Sequence, residues 1–167
     1  MLNKILFILF FTTILFGNTT KNNATNTSTE TNSTKIIANE FEYDEVKQYT
    51  HFKGDVKVYQ NRDKLFAKSV YVTFDKDKNP TKYLLEGNVS FNIFTETKNY
   101  IGKGEKIELD PIKEKVTILK NGYLEDVTTG QKMRGEKIYL DKKSGFSSVF
   151  GAKNKPVTFI INQNKNK

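Results

Sequence analysis

Cysteine and tryptophan are absent from the 167 residues, and proline occurs only three times. Without cysteine the chain cannot form a disulfide, a thiolate zinc site or a cysteine nucleophile, so packing and backbone pairing must supply its stability. The single histidine, His51, has no second imidazole with which to share a metal, and we expect it to have no nucleophile partner. These absences predict a protein without metal, cofactor or enzyme activity.

The residues that are abundant favour strands and an acidic partner. Phenylalanine occurs 13 times and tyrosine 8 times, and valine, isoleucine and threonine are spread along the chain, a composition typical of β-structure. The formal net charge is +8. Such an excess indicates a partner that is nucleic acid, an anionic membrane surface or a phosphorylated ligand.

The two ends of the chain differ in composition from its middle. One lysine precedes the apolar run 5–16, which is too short to span a bilayer and predicts an export signal over residues 1–17; an uncleaved anchor is the alternative. Residues 18–34 are almost entirely asparagine, threonine and serine, which predicts a disordered tether. A flexible polar tail is expected over 162–167, and one folded domain over 35–161. Export from the cytoplasm disfavours nucleic acid as the acidic partner.

Apolar residues alternate with polar ones along the predicted domain. This period of two is typical of half-buried antiparallel strands, and no helical stripe accompanies it, so the sequence predicts an all-β fold. The apolar side chains would line either an open trough or a closed core. They are Val56, Val58, Val70, Val72, Phe74, Leu85, Val89, Phe91, Ile93, Ile107, Leu109, Ile118, Ile138 and Leu140.

An internal repeat of strand pairs organises these runs. Gly54-Asp55 is followed 33 residues later by Gly87-Asn88, and more faintly by Asn121-Gly122. Glycines here and at positions 104 and 135 suit bulges where a sheet bends over on itself. Glu105 and Glu136 recur at equivalent positions of the repeat, where structural hydrogen bonding explains them better than acid–base catalysis.

Two exposed sheet edges are predicted, one over 36–43 and the other over 156–161. The second carries no charge over 157–161, although natural edges are usually blocked by charge. We expect head-to-tail β-augmentation between copies; the alternative is that the C-terminal strand lies inside its own sheet. The residues expected at this interface are Ile37, Phe41, Tyr43, Val157, Phe159 and Ile161.

The order and spacing of four segments, 37–44, 52–58, 65–70 and 135–140, resemble the OstA-like (LptA-like) family of lipopolysaccharide transport proteins. The resemblance implies a single twisted antiparallel β-jellyroll, built from repeated strand pairs with an apolar inner groove. It implies a periplasmic protein that carries lipopolysaccharide from the inner to the outer membrane. Expected partners are the lipid A acyl chains, the jellyroll domains of the transport machinery at both membranes, and other copies of the chain.

Alternatives remain open at this stage. They are a membrane-anchored sibling of the same transport system (LptC-like), a surface structural or adhesive β-repeat module, and a binder of single-stranded nucleic acid, which an export signal disfavours. Basic residues near the groove are candidates for glycolipid phosphates, although scattered lysines usually form a solvated face. They are Lys53, Lys57, Arg62, Lys64, Lys68, Lys103, Lys106, Lys132 and Arg134.

Overall fold

The computed structural model describes residues 34–141 and 143–161, and all of its regular elements are β-strands. Within this part of the chain, nothing forms an apolar helix long enough to cross a bilayer. The predicted signal, most of the tether and the tail lie outside the described residues. The strands are β1 Thr34–Ile37, β2 Glu40–Asp44, β3 Tyr49–Gln60, β4 Asp63–Phe74, β5 Pro80–Phe94, β6 Asn99–Asp110, β7 Lys115–Asp126, β8 Gln131–Asp141, β9 Phe146–Phe150 and β10 Thr158–Ile160.

The strands form one antiparallel sheet in the order β1-β3-β4-β5-β6-β7-β8-β10, with β2 also paired to β3 and β9 also paired to β8. Most strands that are consecutive in sequence therefore lie side by side, joined by short turns. Aspartates cap five of these turns: Asp44, Asp75, Asp110, Asp126 and Asp141 each accept backbone N–H bonds from residues two to four positions later.

Each long strand bends at its middle. In β3, β5 and β7, two consecutive residues have left-handed backbone angles. They are Gly54-Asp55 (φ 76° and 45°), Gly87-Asn88 (83° and 50°) and Lys120-Asn121 (59° and 56°). The pairing register shifts at each of these points, as expected for bulges. The predicted alignment of the third unit at Asn121-Gly122 is wrong by one residue, because the left-handed pair there begins at Lys120.

The line of bends divides the sheet into two leaves, since every long strand contributes one half to each. Leaf 1 carries β2 and β9 at its edges and contains residues 40–53, 69–86, 106–119, 137–141 and 143–150. Leaf 2 carries β1 and β10 and contains residues 34–37, 56–67, 89–104, 122–135 and 158–160.

The core lies between the two leaves, which meet at the bend. A Cβ added to Gly104 of leaf 2 would lie 2.6 Å from Cγ2 of Ile118 of leaf 1, and one added to Gly122 would lie 3.2 Å from Cγ1 of Ile138. Glycine on one leaf therefore admits a large side chain from the other. The buried cluster draws on both leaves: Val56, Val58, Leu65, Ala67, Val70, Val72, Tyr83, Leu85, Val89, Ile107, Val116, Ile118, Leu124 and Ile138.

Candidate functional site

The inner face of the folded sheet carries apolar rows that run across all of its strands. Each row follows the register from one edge to the other, so neighbouring side chains sit about 5 Å apart. The row of leaf 1 nearest the bend is Phe41, Phe52, Val70, Leu85, Ile107, Ile118, Ile138 and Val149. The second inward row of leaf 2 from the bend is Ile36, Val58, Leu65, Phe91, Gly102, Leu124, Met133 and Phe159.

Burial divides the predicted groove residues into two groups. Val72, Ile118 and Ile138 are 0% exposed, so they belong to a closed floor rather than to an open channel. The buried group is Val56, Val58, Val70, Val72, Leu85, Val89, Ile107, Ile118 and Ile138. The half-buried group is Phe74, Phe91, Ile93, Leu109 and Leu140.

Phe91 occupies a special position in the half-buried group. Its ring covers Gly102 on the neighbouring strand so closely that a Cβ at that glycine would overlap the ring. Gly102 thus leaves room for an aromatic side chain on the inner face of leaf 2.

The apolar rows continue to both edges of the sheet. At one edge Phe41 is 55% exposed and packs on Phe52, with ring centroids 5.0 Å apart. At the other edge Phe159 is 53% exposed and lies opposite Met133. Apolar surface that would be buried inside a closed sandwich is therefore accessible at both ends.

Both predicted edges are sheet edges in the described part of the chain. The alternative that the C-terminal strand is internal is wrong, because β10 pairs with β8 alone. Of the predicted interface residues, Ile37, Phe41 and Tyr43 lie in β1 and β2, whereas Val157, Phe159 and Ile161 lie in or directly beside β10; all except the half-buried Tyr43 are exposed.

The edge strand β9 was not predicted. It completes the C-terminal edge in leaf 1, and its residues Phe146 and Phe150 are 59% and 52% exposed. The alternation of Phe146, Ser148 and Phe150 on one face with Ser147 and Val149 on the other is the signal that could have found it. The strand contains no charge, so the whole C-terminal edge lacks a charged blocking residue within β9 and β10.

The outer face of leaf 1 is covered by ion pairs. Lys53 Nζ lies 2.6 Å from Glu42 Oε1, and Lys106 Nζ lies 3.2 Å from Glu86 Oε1 and 3.4 Å from Glu108 Oε1. The hydrogen bond to Glu86, together with these charges, raises the pKa of Lys106 above its ordinary value despite the opposing effect of burial. Two of the basic residues predicted to contact phosphate, Lys53 and Lys106, are therefore already neutralised.

His51 does have a nucleophile partner, contrary to expectation. Its Nε2 lies 2.7 Å from Ser69 Oγ, and its Nδ1 lies 3.8 Å from Glu42 Oε2. A serine hydrolase also requires free backbone N–H groups to stabilise an oxyanion. Ser69 lies within a strand paired on both sides, and the three residues sit on an open sheet face. The contact is a cross-strand polar cluster rather than the machinery of acyl transfer.

The bent sheet, with an apolar inner face and two unpaired edges, defines a β-jellyroll. Residues 35–146, more than half of the chain, match the family described as LptA/(LptD N-terminal domain) LPS transport protein. The chain belongs to this family of lipopolysaccharide transport proteins, a role that is not enzymatic.

One solved structure extends the comparison of folds. The chain is similar to LptH, described as the LptA homologous periplasmic component of the conserved lipopolysaccharide transport device from Pseudomonas aeruginosa. The two are 18% identical, with a TM-score of 0.65, over 78% of this chain and 96% of LptH. The similarity shows that the folds agree. No curated protein matches the sequence.

Proposed function

We propose that this chain is a periplasmic carrier that moves lipopolysaccharide from the inner to the outer membrane along the interior between its leaves. The observation that carries the proposal is the pair of apolar rows that cross every strand and emerge at both edges. Membership of the transport family supplies the ligand class. Transfer of each acyl methylene from water into such a site contributes about 0.8 kcal/mol, which is ample for binding without a cofactor.

The half-buried residues would receive the acyl chains. Phe91 and Ile93 of leaf 2 and Leu109 of leaf 1 form the mouth between the leaves, whereas the buried residues nearer the bend would hold the two leaves together. Lipid entry then requires rearrangement of a few mouth side chains. The ring of Phe91 is the first of these, because it is half-buried and lies over Gly102, which has no side chain of its own.

Copies of the chain would join end to end through the two edges. The C-terminal edge strands carry no charge, and β1 and β2 offer unpaired backbone groups at the opposite end. Augmentation in this direction would place Phe41 of one copy beside Val149 of the next in leaf 1, and Ile36 beside the exposed Phe159 in leaf 2. The apolar interior would thus continue from one protomer into its neighbour, or into a similar jellyroll at either membrane.

A single introduced tryptophan tests lipid binding, since the chain has none of its own. Phe91→Trp places the probe on the inner face of leaf 2, and Tyr71→Trp places a matched probe on the outer face of leaf 1. With lipopolysaccharide at high salt, we expect a saturable blue shift from the Phe91→Trp protein only. An unchanged Phe91→Trp spectrum, or equal shifts from both probes, would contradict the proposal.

An introduced carboxylate tests the proposed contact between the sheet edges of two copies. Phe159→Glu should weaken self-association strongly, because the new carboxylate would be buried in the contact between copies. Ile112→Glu is the matched control, as Ile112 is 69% exposed in a turn away from both edges. Sedimentation of both variants over a concentration series measures the effect. Association that survives Phe159→Glu unchanged would show that β10 is not the contact.

A further inference from the structure

The outer face of leaf 2 differs in charge from every other surface described above. Two rows of outward side chains cross it, and they combine basic with aromatic residues. The first row is Ile37, Lys57, Phe66, Ser90, Lys103, Tyr123, Arg134 and Thr158; the second is Lys35, Tyr59, Lys64, Asn92, Ile101, Glu125, Lys132 and Ile160.

The cations of this face are largely uncompensated. Among residues 34–141 and 143–161, the exposed Lys57, Lys64 and Lys103 take part in no ion pair. Glu125 is the one carboxylate in the two rows, and it is engaged by Lys132 at 3.1 Å and by the hydroxyl of Tyr123. Positive potential therefore accumulates on one broad sheet face instead of being cancelled locally as on leaf 1.

The aromatic side chains of this face are held against their neighbours. Tyr59 and Phe66 meet edge to face, with centroids 6.1 Å apart, and the guanidinium of Arg134 lies 4.8 Å from the ring centre of Tyr123. Nucleic-acid platforms need free ring faces on which bases stack. Rings packed beside cations instead match a membrane surface, where aromatic groups sit at the headgroup level next to basic residues.

We propose that the outer face of leaf 2 docks on the surface of an anionic phospholipid bilayer. Lys57 and Lys103 lie three strands apart, about 14 Å at the usual strand spacing, so the cations cover an area that several headgroups can meet together. Charge complementarity provides the attraction, and Phe66, 36% exposed, supplies apolar contact beside Lys57. The inference does not depend on the lipid-carrying interior, which opens on the opposite face of the leaf.

Vesicle sedimentation with the full chain tests the proposal. The variant Lys57→Gln/Lys64→Gln/Lys103→Gln removes three cations from leaf 2. Its matched control, Lys82→Gln/Lys113→Gln/Lys137→Gln, removes three exposed cations from leaf 1 and its turns, so the net charge is the same. The vesicles are phosphatidylglycerol and phosphatidylcholine in equal parts, or phosphatidylcholine alone, which reports any contribution of the apolar run 5–16.

We expect the wild-type protein and the control to bind the anionic vesicles, and binding to fall with added salt. The leaf 2 variant should lose roughly a hundredfold in partitioning, at about fivefold for each cation near the surface. Equal losses in the two variants would overturn the proposal, because binding would then follow net charge. Wild-type binding to polyglutamate or an oligonucleotide without binding to anionic vesicles would also overturn it, in favour of a macromolecular polyanion.

Discussion

The two leaves are built from the same strands, yet they differ on both of their faces. On the inside, leaf 1 presents the large side chains Ile118 and Ile138 beside the bend, whereas leaf 2 presents Gly104 and Gly122 opposite them. On the outside, leaf 1 carries a ladder of ion pairs and leaf 2 carries unpaired lysines such as Lys57.

This difference assigns separate tasks to the two halves of each strand. Both leaves contribute half-buried residues to the interior, such as Leu109 from leaf 1 and Phe91 from leaf 2, so the contrast lies on the outside. The outer charges of leaf 1 are neutralised locally, which suits a scaffold, whereas those of leaf 2 are uncompensated, which suits interaction. A bulge at mid-strand is the device that permits this division, since it lets one strand serve two leaves with independent chemistry.

The largest expected effect concerns the contact between the leaves. Ile118→Ala should destabilise the protein by about 2–5 kcal/mol, because the side chain is 0% exposed and its removal leaves a cavity. Gly104→Ala should cost about 1–3 kcal/mol, because its Cβ would meet Cγ2 of Ile118. Denaturant unfolding measures both free energies.

The double variant Gly104→Ala/Ile118→Ala sharpens this test. Truncation of the isoleucine leaves room for the methyl group added at position 104, so the two changes together should cost less than their sum by about 1 kcal/mol. Val58→Ala, in a strand distant from both residues, should add to Gly104→Ala without coupling. Additivity in the first pair would mean that the leaves do not pack closely at the bend.

An intermediate effect is expected at Asp126, which ends β7 on the side of leaf 2 away from the bend. Asp126 is buried; although burial raises its pKa, the hydrogen bonds from Lys98, at 3.1 Å, and Thr129 outweigh this and hold the pKa below its usual 3.8. A lowered folded pKa stabilises the protein above pH 3.8, and this stability is lost as the pH falls through the folded pKa. Asp126→Asn should cost about 1–2 kcal/mol at neutral pH, with the difference from wild type shrinking in acid.

The pKa of Asp63, at the same end of leaf 2, is shifted in the opposite direction. Burial raises the pKa of its carboxyl, although the N–H of Phe94 donates to Oδ1 at 2.8 Å. The folded state therefore favours the protonated form, and the benefit is lost as the pH rises through the folded pKa. Asp63→Asn, which keeps the acceptor, should be at least as stable as wild type at pH 7. The difference in unfolding midpoint between each variant and wild type is measured from pH 3 to 7. Differences that change with pH in the same direction for both variants would contradict the assignment.

The smallest expected effect compares the two outer faces. Lys106→Gln on leaf 1 breaks contacts with Glu86 and Glu108 and should cost about 0.5 kcal/mol at low salt. Lys57→Gln on leaf 2 removes a cation without an ion-pair partner, so stability should stay the same or rise slightly. Thermal melts at low and high salt measure the contrast; a larger loss for Lys57→Gln would contradict the assignment of the faces.

The period-two pattern was sufficient to predict an all-β fold with bends near the glycines, but not the length of the strands. In β4, β6 and β8 a single residue at the bend, Lys68, Glu105 or Glu136, shifts the inward positions by one. The alternation therefore breaks in the middle of a continuous strand and resembles a strand end. The inward glycines Gly102 and Gly135 further hide the pattern, because they leave no apolar residue to count.

The groove residues were predictable as inward-facing, whereas their depth was not. Val72 and Phe91 follow the same alternation, but one is fully buried and the other is half-buried. Their depth depends on which leaf and which row each occupies, and so on the position of the bend. Charge compensation was equally hidden: Lys53 and Lys57 look alike in sequence, yet the register places Glu42 beside the first and a phenylalanine beside the second.

In the proposed carrier function, lipid occupies the interior between the two leaves during transport. Photo-crosslinking in cells that make lipopolysaccharide tests this directly, with benzoylphenylalanine at Phe91 on the inner face of leaf 2 or at Tyr71 on the outer face of leaf 1. Both substitutions replace one aromatic ring by a larger one. We predict crosslinks to lipopolysaccharide from position 91 and far fewer from position 71; equal labelling, or none from position 91, would contradict the carrier function.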